Sequence, residues 1–336
     1  MQTIKLGEKP GLDLLVFADE ALPGSPGPGE IRVRVTASSL NGHDYNVAVG
    51  RLPCTAGRIL LTDAAGTVEA VGEGVSEFAP GDVVISCFFP LWQDGDAPLA
   101  DFSATPGDGV DGYGRGHVVR PAQWFTKAPA HMTPAEAATL PTAGMTAWRA
   151  LVPSGGLKAG DSVLVMGTGG VSIFALQLAK SMGATVIATS SSDEKLARAK
   201  SLGADHVINY KACPEWGHEV RKLTGGRGVD HVVEVGGPAT LPQSITACRI
   251  GGHIALIGVL TGISGVVPTV AIMSRQQRVH GITVGSRAEQ LAFVRALEAI
   301  QLKPVIDRSF AMSDLRNAFD HYATGDHFGK ISVTIS

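Results

Sequence analysis

The sequence predicts an α/β protein in which a doubly wound parallel sheet is joined to a smaller, barrel-like β domain. Three observations predict it. From Asp161 onward, short apolar runs alternate with helical segments, the order that builds a parallel sheet covered by helices. A glycine turn, Gly167-Thr168-Gly169-Gly170-Val171-Ser172, separates the first of those runs from the first of those helices. The first third of the chain instead carries short alternating stretches punctuated by Gly and Pro, the pattern of a small β domain.

In chain order, Glu30 to Thr36 alternates apolar and polar residues after the turn-forming segment Pro23 to Gly29, and reads as a strand with one buried face. Gly66 to Gly72 alternates again, and the Pro80-Gly81-Asp82 turn introduces a strand at Val83 to Ile85. Leu91 to Gly116 is rich in Gly, Asp and Pro and reads as a long loop, a kind of segment that is commonly functional. Thr133 followed by Pro134 opens a helix running to Leu140. Ser162 to Met166 is an apolar run suited to a strand buried on both faces. A helix over Ile173 to Met182, a strand over Thr185 to Thr189, a helix over Asp193 to Leu202 and a strand over His206 to Asn209 follow. Val229 to Val235 and Gly252 to Gly258 add two more strands. Lys330 to Ile335 reads as a strand that returns to the first domain, because the parallel sheet is already complete.

At 336 residues the chain suits two domains, one of them interrupted in sequence. The expected division is 1–124 with 287–336 for the β-rich domain, and 125–286 for the parallel-sheet domain. Apolar content of 44% against 18% charged residues describes a globular chain. A net charge of -3 argues against nucleic acid or an anionic membrane as the partner, since both select a basic surface. No run approaches the roughly 20 apolar residues of a membrane span, and Met1 to Pro10 lacks the apolar core of a secretory signal. Cys54, Cys87, Cys213 and Cys248 are scattered, as thiols in a reducing compartment are. The expected location is the cytoplasm.

The glycine turn carries the sharpest chemistry. Glycine permits the tight turn and lets backbone N–H groups approach a pyrophosphate at the positive end of the following helix. The third glycine of the usual fingerprint is replaced by Ser172, but the strand–turn–helix context identifies a Rossmann-type βαβ unit. A carboxylate at the end of the second strand normally binds the ribose hydroxyls of NAD. The strand here ends at Thr189 and continues Ser190-Ser191-Ser192-Asp193-Glu194-Lys195. Hydroxyls and a lysine at that place suit a 2′-phosphate, so NADPH is expected over NADH. Ser191 and Glu194 also have the spacing of a helix capping box.

With the β-rich first third, these motifs resemble the medium-chain dehydrogenase/reductase superfamily over essentially the whole chain. The resemblance is closest to the zinc-free quinone oxidoreductase branch and its alcohol-dehydrogenase-like relatives. It is carried by Asn41 to Asp44, Asp63 to Val75, Phe78 to Val84, Ala137 to Ala147, the glycine turn and Leu202 to Tyr210. It implies a GroES-like substrate domain beside the Rossmann domain. Zinc-dependent relatives place Cys, a His-Glu pair and a second Cys or Asp at their catalytic metal; here Asn41, Thr62-Asp63 and Thr142 stand at those positions. Asn and Thr are poor zinc ligands beside thiolate or imidazole, and Leu91 to Gly116 holds no cysteine for a structural zinc. No zinc is therefore expected.

The resemblance also implies site residues, around a pocket that the family builds between its domains. Asn41 falls near the nicotinamide, with its amide available to a substrate or cofactor oxygen. Asp44 is expected to orient the loop through backbone hydrogen bonds. His43 falls where zinc enzymes place the hydroxyl of their proton relay; it is a proton donor or a packing residue, with Tyr45 the second candidate. Gly167, Gly169, Gly170 and Val171 face the pyrophosphate, while Ser190, Ser191, Lys195 and Tyr210 surround the adenosine phosphate. Thr146 lies beside the nicotinamide phosphate. Gly236, Gly258, Val259 and Leu260 follow later strands at the carboxyl edge of the sheet. In Val284-Gly285-Ser286-Arg287, Ser286 and Arg287 fall along the nicotinamide, with Arg287 on phosphate or substrate or else facing solvent. Phe88, Phe89 and Trp92 form a pocket wall or belong to the core. Val279 to Val284 resembles the edge strand through which the family pairs two subunits, so a homodimer is expected.

Hydride transfer to a quinone, an enone or a small carbonyl compound follows from the resemblance. Reduction of an alkenal or enoyl thioester uses the same chemistry, and pocket shape decides between them. A non-catalytic NADPH-binding sensor or structural protein would keep the same glycine turn.

Overall fold

The computed structural model describes residues 1–98 and 101–335. It divides into two compact units, Met1–Met145 with Val284–Ser336, and Thr146–Thr283.

The first unit opens with a two-stranded antiparallel ribbon, β1 (Gln2–Lys5) and β2 (Val16–Asp19). The long β3 (Glu30–Ser39) follows the Pro/Gly segment and alternates buried and partly exposed residues over its first half. It leads through Leu40 and Asn41 into a short helix, α1 (Gly42–Ala48). Strands β4 (Ala65–Val71), β5 (Val83–Ser86), β6 (His117–Pro121) and β7 (Phe125–Lys127) are all antiparallel to their neighbours: β4 and β6 pair with β3, β5 with β4 and β7 with β5. Helix α2 (Pro134–Ala137) has Thr133 as its cap, with Glu136 reciprocating. A π-type turn at Leu140–Gly144 then leads into α3 (Met145–Leu151). The segment 91–116 holds no regular strand among its described residues. It is nonetheless anchored: Gly112 and Tyr113 bond back to Ile59 and Leu61, and Tyr113 is fully buried.

The second unit is a six-stranded parallel sheet. Its strands are β8 (Ser162–Met166), β9 (Thr185–Ser190), β10 (His206–Asn209), β11 (Val229–Glu234), β12 (Cys248–Leu256) and β13 (Arg278–Gly281). They lie in the order β10-β9-β8-β11-β12-β13, the doubly wound arrangement with its reversal beside β8. The connecting helices are α4 (Gly170–Ser181), α5 (Asp193–Ser201), α6 (Trp216–Leu223), α7 (Leu241–Ala247) and α8 (Thr269–Ser274). Every residue of β8 and β11 is buried, as expected for strands covered on both faces.

The chain then returns to the first unit through α9 (Arg287–Ile300), β14 (Ile306–Ala311), α10 (Leu315–Thr324) and β15 (Lys330–Thr334). Strand β15 joins β3 antiparallel and β14 joins β15 parallel, which completes a seven-stranded sheet. An apolar core runs through this unit, from Ile31, Val33 and Val35 to Phe319, Ile331 and Val333. Residues 125–145, placed by sequence with the nucleotide half, lie in the first unit. The reason is local pairing: β7 bonds to β5, and the π-type turn reaches back to Asp63. Among the described residues no helix is long and apolar enough to cross a membrane.

Candidate active site

In the first unit Ser39, Asn41, Asp44, Thr62, Asp63, Thr142 and Lys330 converge on one network. Asn41 caps α1, and its backbone N–H donates to Asp44 Oδ2 at 2.9 Å. Asp44 Oδ1 accepts from the Thr62 N–H at 2.9 Å and from its hydroxyl at 2.8 Å, so this buried carboxylate ties α1 to the loop before β4. Asp63 Oδ2 accepts from Ser39 Oγ at 2.6 Å and Asn41 Nδ2 at 2.8 Å, and Oδ1 accepts from Thr142 Oγ1 at 2.6 Å. Lys330 enters because Ser332 stands opposite Ser39 in the β15–β3 pairing. Its Nζ donates to Leu40 O at 2.6 Å and Asn41 Oδ1 at 2.5 Å, and lies 3.8 Å from Asp63 Oδ2. Burial raises the Asp63 carboxyl, with Lys330 opposing that shift. Burial lowers the Lys330 ammonium, with Asp63 and Asp44 opposing.

This arrangement does not fit a zinc ion. The Asn41 carbonyl oxygen faces an ammonium, and the Thr62 and Thr142 hydroxyls are spent on Asp44 and Asp63. No thiolate or imidazole stands at these three positions, and oxygens already donating or cation-bound make no N/S-type zinc site. Among the described residues no group of three or more His, Cys, Asp or Glu side chains can hold a metal ion.

His43 and Tyr45 do not converge. Two positions apart on one helix, they face different sides. Tyr45 packs on Tyr322 and Phe319, at ring separations of 5.4 and 6.2 Å, with Arg51 over its face. His43 turns instead to an aromatic group: the Phe102 and Phe88 rings lie 4.7 and 5.3 Å from its own. Phe89 stacks on Phe102, and Trp92 lies 6.1 Å from Phe89. His43 Nε2 is 3.3 Å from Asp108 Oδ2. Nothing in its sequence context marks Asp108, one acid among several in the 91–116 loop.

In the second unit, Gly167 has φ 72°, the left-handed turn that favours glycine, and no heavy atom within 4 Å of where a Cβ would stand. Gly169 caps α4, so the helix begins at Gly170, earlier than the expected Ile173. Ser172, in place of the third glycine, is buried and donates its hydroxyl to Met166 O at 2.6 Å. It therefore pins the helix to the end of β8 and leaves the first-turn amides free of partners within the helix. The cap of α5 is Ser192, whose Oγ accepts from the Lys195 N–H, and not Ser191. Ser190 is buried and accepts from the Ser192 N–H, while Asp193 is drawn aside by Asn209 Nδ2 at 2.7 Å. No carboxylate ends β9, Ser191 and Lys195 are half-buried, and Tyr210 is exposed just beyond β10. The open glycine turn, the free helix end and these hydroxyls fit a dinucleotide phosphate chain.

Thr146 is buried in α3. After β11 the fully buried Glu234 accepts from the N–H groups of Gly236 and Gly237 at 2.7 and 3.0 Å and from Thr240 Oγ1 at 2.7 Å. This acid, the last residue of β11, shapes the loop at Gly236; its burial at the end of Val229–Glu234 was the available signal. At Gly258 a Cβ would meet Val235 O at 2.0 Å, so glycine is required there. Val259 and Leu260 are exposed. Back in the first unit, Ser286 caps α9 with Glu289. Arg287 neither faces solvent nor stands free: Nε donates to Phe125 O at 3.0 Å and a terminal nitrogen pairs with Glu77 at 2.5 Å.

Comparison with known proteins finds similar dehydrogenases over most of the chain. Residues 27–130 match the alcohol dehydrogenase GroES-like domain family, and residues 170–300 match the zinc-binding dehydrogenase family. A zinc-type alcohol dehydrogenase-like protein of Schizosaccharomyces pombe is 40% identical, over 97% of this chain and 96% of its own. A chloroplastic quinone oxidoreductase of Triphysaria versicolor is 31% identical, over 92% and 91%. A crystal structure described as an NAD-dependent alcohol dehydrogenase superposes with a TM-score of 0.90 at 35% identity, covering 100% of both chains.

Proposed function

The chain belongs to the medium-chain dehydrogenase/reductase superfamily and is an oxidoreductase of it, and from that premise we propose that it is a zinc-independent, NADPH-dependent reductase of a quinone, an enone or a small carbonyl compound. The observation that carries this reading is the closed network at Asn41, Thr62 and Thr142. Each oxygen where a zinc-dependent relative would offer a ligand is tied to Lys330, Asp44 or Asp63. Without a metal, the substrate oxygen is polarised by hydrogen bonds, and a side chain supplies the proton.

NADPH, when bound, supplies the hydride. The backbone of Gly167, Gly169, Gly170 and Val171 holds its pyrophosphate at the start of α4. Ser191 and Lys195, with Ser190 and Tyr210 close in the fold, receive the 2′-phosphate, and the lack of a carboxylate at the end of β9 favours it. His43 holds the proton that the reduced substrate takes up. The aromatic group of Phe88, Phe89 and Phe102 beside it favours a flat, conjugated acceptor. A homodimer forms through β13, an edge strand exposed along its length.

The test is to strip the protein with a chelator. NADPH and NADH consumption is then followed with phenanthrenequinone, methyl vinyl ketone and benzaldehyde, and without acceptor. Acceptor-dependent oxidation of NADPH, indifferent to chelation and to added zinc, is expected. Activity lost on chelation and restored by zinc would overturn the metal-free reading. NADPH binding without turnover of any acceptor would move the protein to the sensor class.

A further inference from the structure

We propose that Asp108 is the positioning residue of His43, holding its Nε2–H so that Nδ1 delivers the proton to the reduced substrate. The inference rests on the proposed role of His43 and adds the group that makes that role workable. His43 Nε2 is buried and has no hydrogen-bond partner of good geometry; the Asp108 carboxylate oxygen 3.3 Å away is the acid it faces. Both side chains are nearly buried, at 10% and 11% exposure, so the approach is not a chance surface pair. Nδ1 is not among the buried unpartnered atoms and makes no hydrogen bond to the protein among the described residues. A carboxylate on one ring nitrogen fixes which nitrogen is presented to the reaction.

The loop is built to hold Asp108 there. Thr105 N–H donates to Phe102 O at 2.9 Å, and Asp108 N–H donates to Thr105 O at 3.2 Å, two successive turns of one short segment. Gly107 between them has φ 83°, and a Cβ there would come within 3.1 Å of the Leu61 backbone. Phe102, at the start of this segment, lies against the His43 ring. One piece of loop therefore carries both the carboxylate and an aromatic face of the imidazole.

NADPH, when bound, would supply the hydride for the new C–H bond on the substrate, and the proton is the part that this chain's own residues deliver. The Nδ1–H bond of the His43 imidazolium breaks as the proton passes to the substrate oxygen, or to the second carbon of an enone. The N–H electron pair stays on Nδ1, which leaves the reduced substrate and a neutral imidazole whose Nε2–H still faces Asp108. Solvent then reprotonates Nδ1.

The experiment compares Asp108→Asn, Asp108→Glu, His43→Gln and the Asp108→Asn/His43→Gln double variant, with NADPH and phenanthrenequinone. Thermal melting confirms that each is folded. Asp108→Asn is expected to lower kcat about ten- to a hundredfold, with KM for NADPH unchanged and a larger solvent deuterium isotope effect. Asp108→Glu should recover part of the rate, and the double variant should be no slower than His43→Gln alone. Full kcat in Asp108→Asn with a slow His43→Gln overturns the positioning role and leaves the proton donor standing. Losses that multiply in the double variant mark Asp108 as a loop anchor only and overturn the proposal. Full kcat in His43→Gln overturns the donor and, with it, this inference.

Discussion

Lys330 and Asn41 are 289 residues apart in sequence, yet the lysine ammonium donates to the asparagine carbonyl oxygen at 2.5 Å in a buried site. The same ammonium lies 3.8 Å from Oδ2 of the Asp63 carboxylate, which has no exposed surface. Removing one member of such a buried pair leaves the other charge uncompensated. Lys330→Met is expected to destabilise the protein by about 3–5 kcal/mol, and adding Asp63→Asn should restore much of that. Urea unfolding of the two variants decides it; a Lys330→Met protein as stable as the parent would show that Asp63 is not held as an anion.

Arg287 is committed to Glu77 and the Phe125 carbonyl, where the sequence leaves it on phosphate or substrate or facing solvent. Glu77 is 44% exposed, so the pair is screened. Arg287→Gln should cost only about 1 kcal/mol of stability and leave KM for NADPH unchanged. Initial-rate kinetics would instead give a large rise in KM if the guanidinium turned to the cofactor.

The 2′-phosphate reading predicts a graded change of cofactor. Charge-assisted contacts are worth about 1.5–3 kcal/mol, so Lys195→Glu should raise KM for NADPH about tenfold or more. Ser191→Asp should act in the same direction and improve NADH. Equal KM values for NADPH in parent and variants would remove these residues from the phosphate site.

Acid sensitivity is expected from the second unit. His253 is buried on β12 between His231 and His280, with ring separations of 6.0 and 6.3 Å. Ser154 bridges His253 and His280, and Asp161 pairs with His231. Burial, then the positive charge of His231, Arg278 and His280, lowers the His253 imidazole from 6.5 to about 4. The unfolded chain therefore binds this proton more readily than the folded one between those two values. Stability is complete above pH 6.5 and is lost as the pH falls toward about 4, by about 3 kcal/mol in all. His253→Gln should flatten that part of the profile; an unchanged profile by urea unfolding would assign the acid sensitivity to other groups.

Much of this molecule is written in short stretches of its sequence. Period-two alternation in Glu30 to Thr36, all-apolar Ser162 to Met166 and the glycine turn between strand and helix each specify their element through neighbouring residues. The identities of Asn41, Thr62 and Thr142 likewise speak against a thiolate or imidazole metal site. The partnerships of those side chains depended on strand register and loop path, which adjacent residues do not encode. Ser332 opposite Ser39 is what delivers Lys330 to Asn41. The anchored turns of the 91–116 loop deliver Asp108 to His43, and the return of α9 to the first sheet delivers Arg287 to Glu77. Helical geometry separated Tyr45 from His43, and a one-residue shift made Ser192 the cap in place of Ser191. Local pattern sets which elements form, because each is stabilised by its own periodic face; only their packing sets which distant polar groups must satisfy one another once water is excluded.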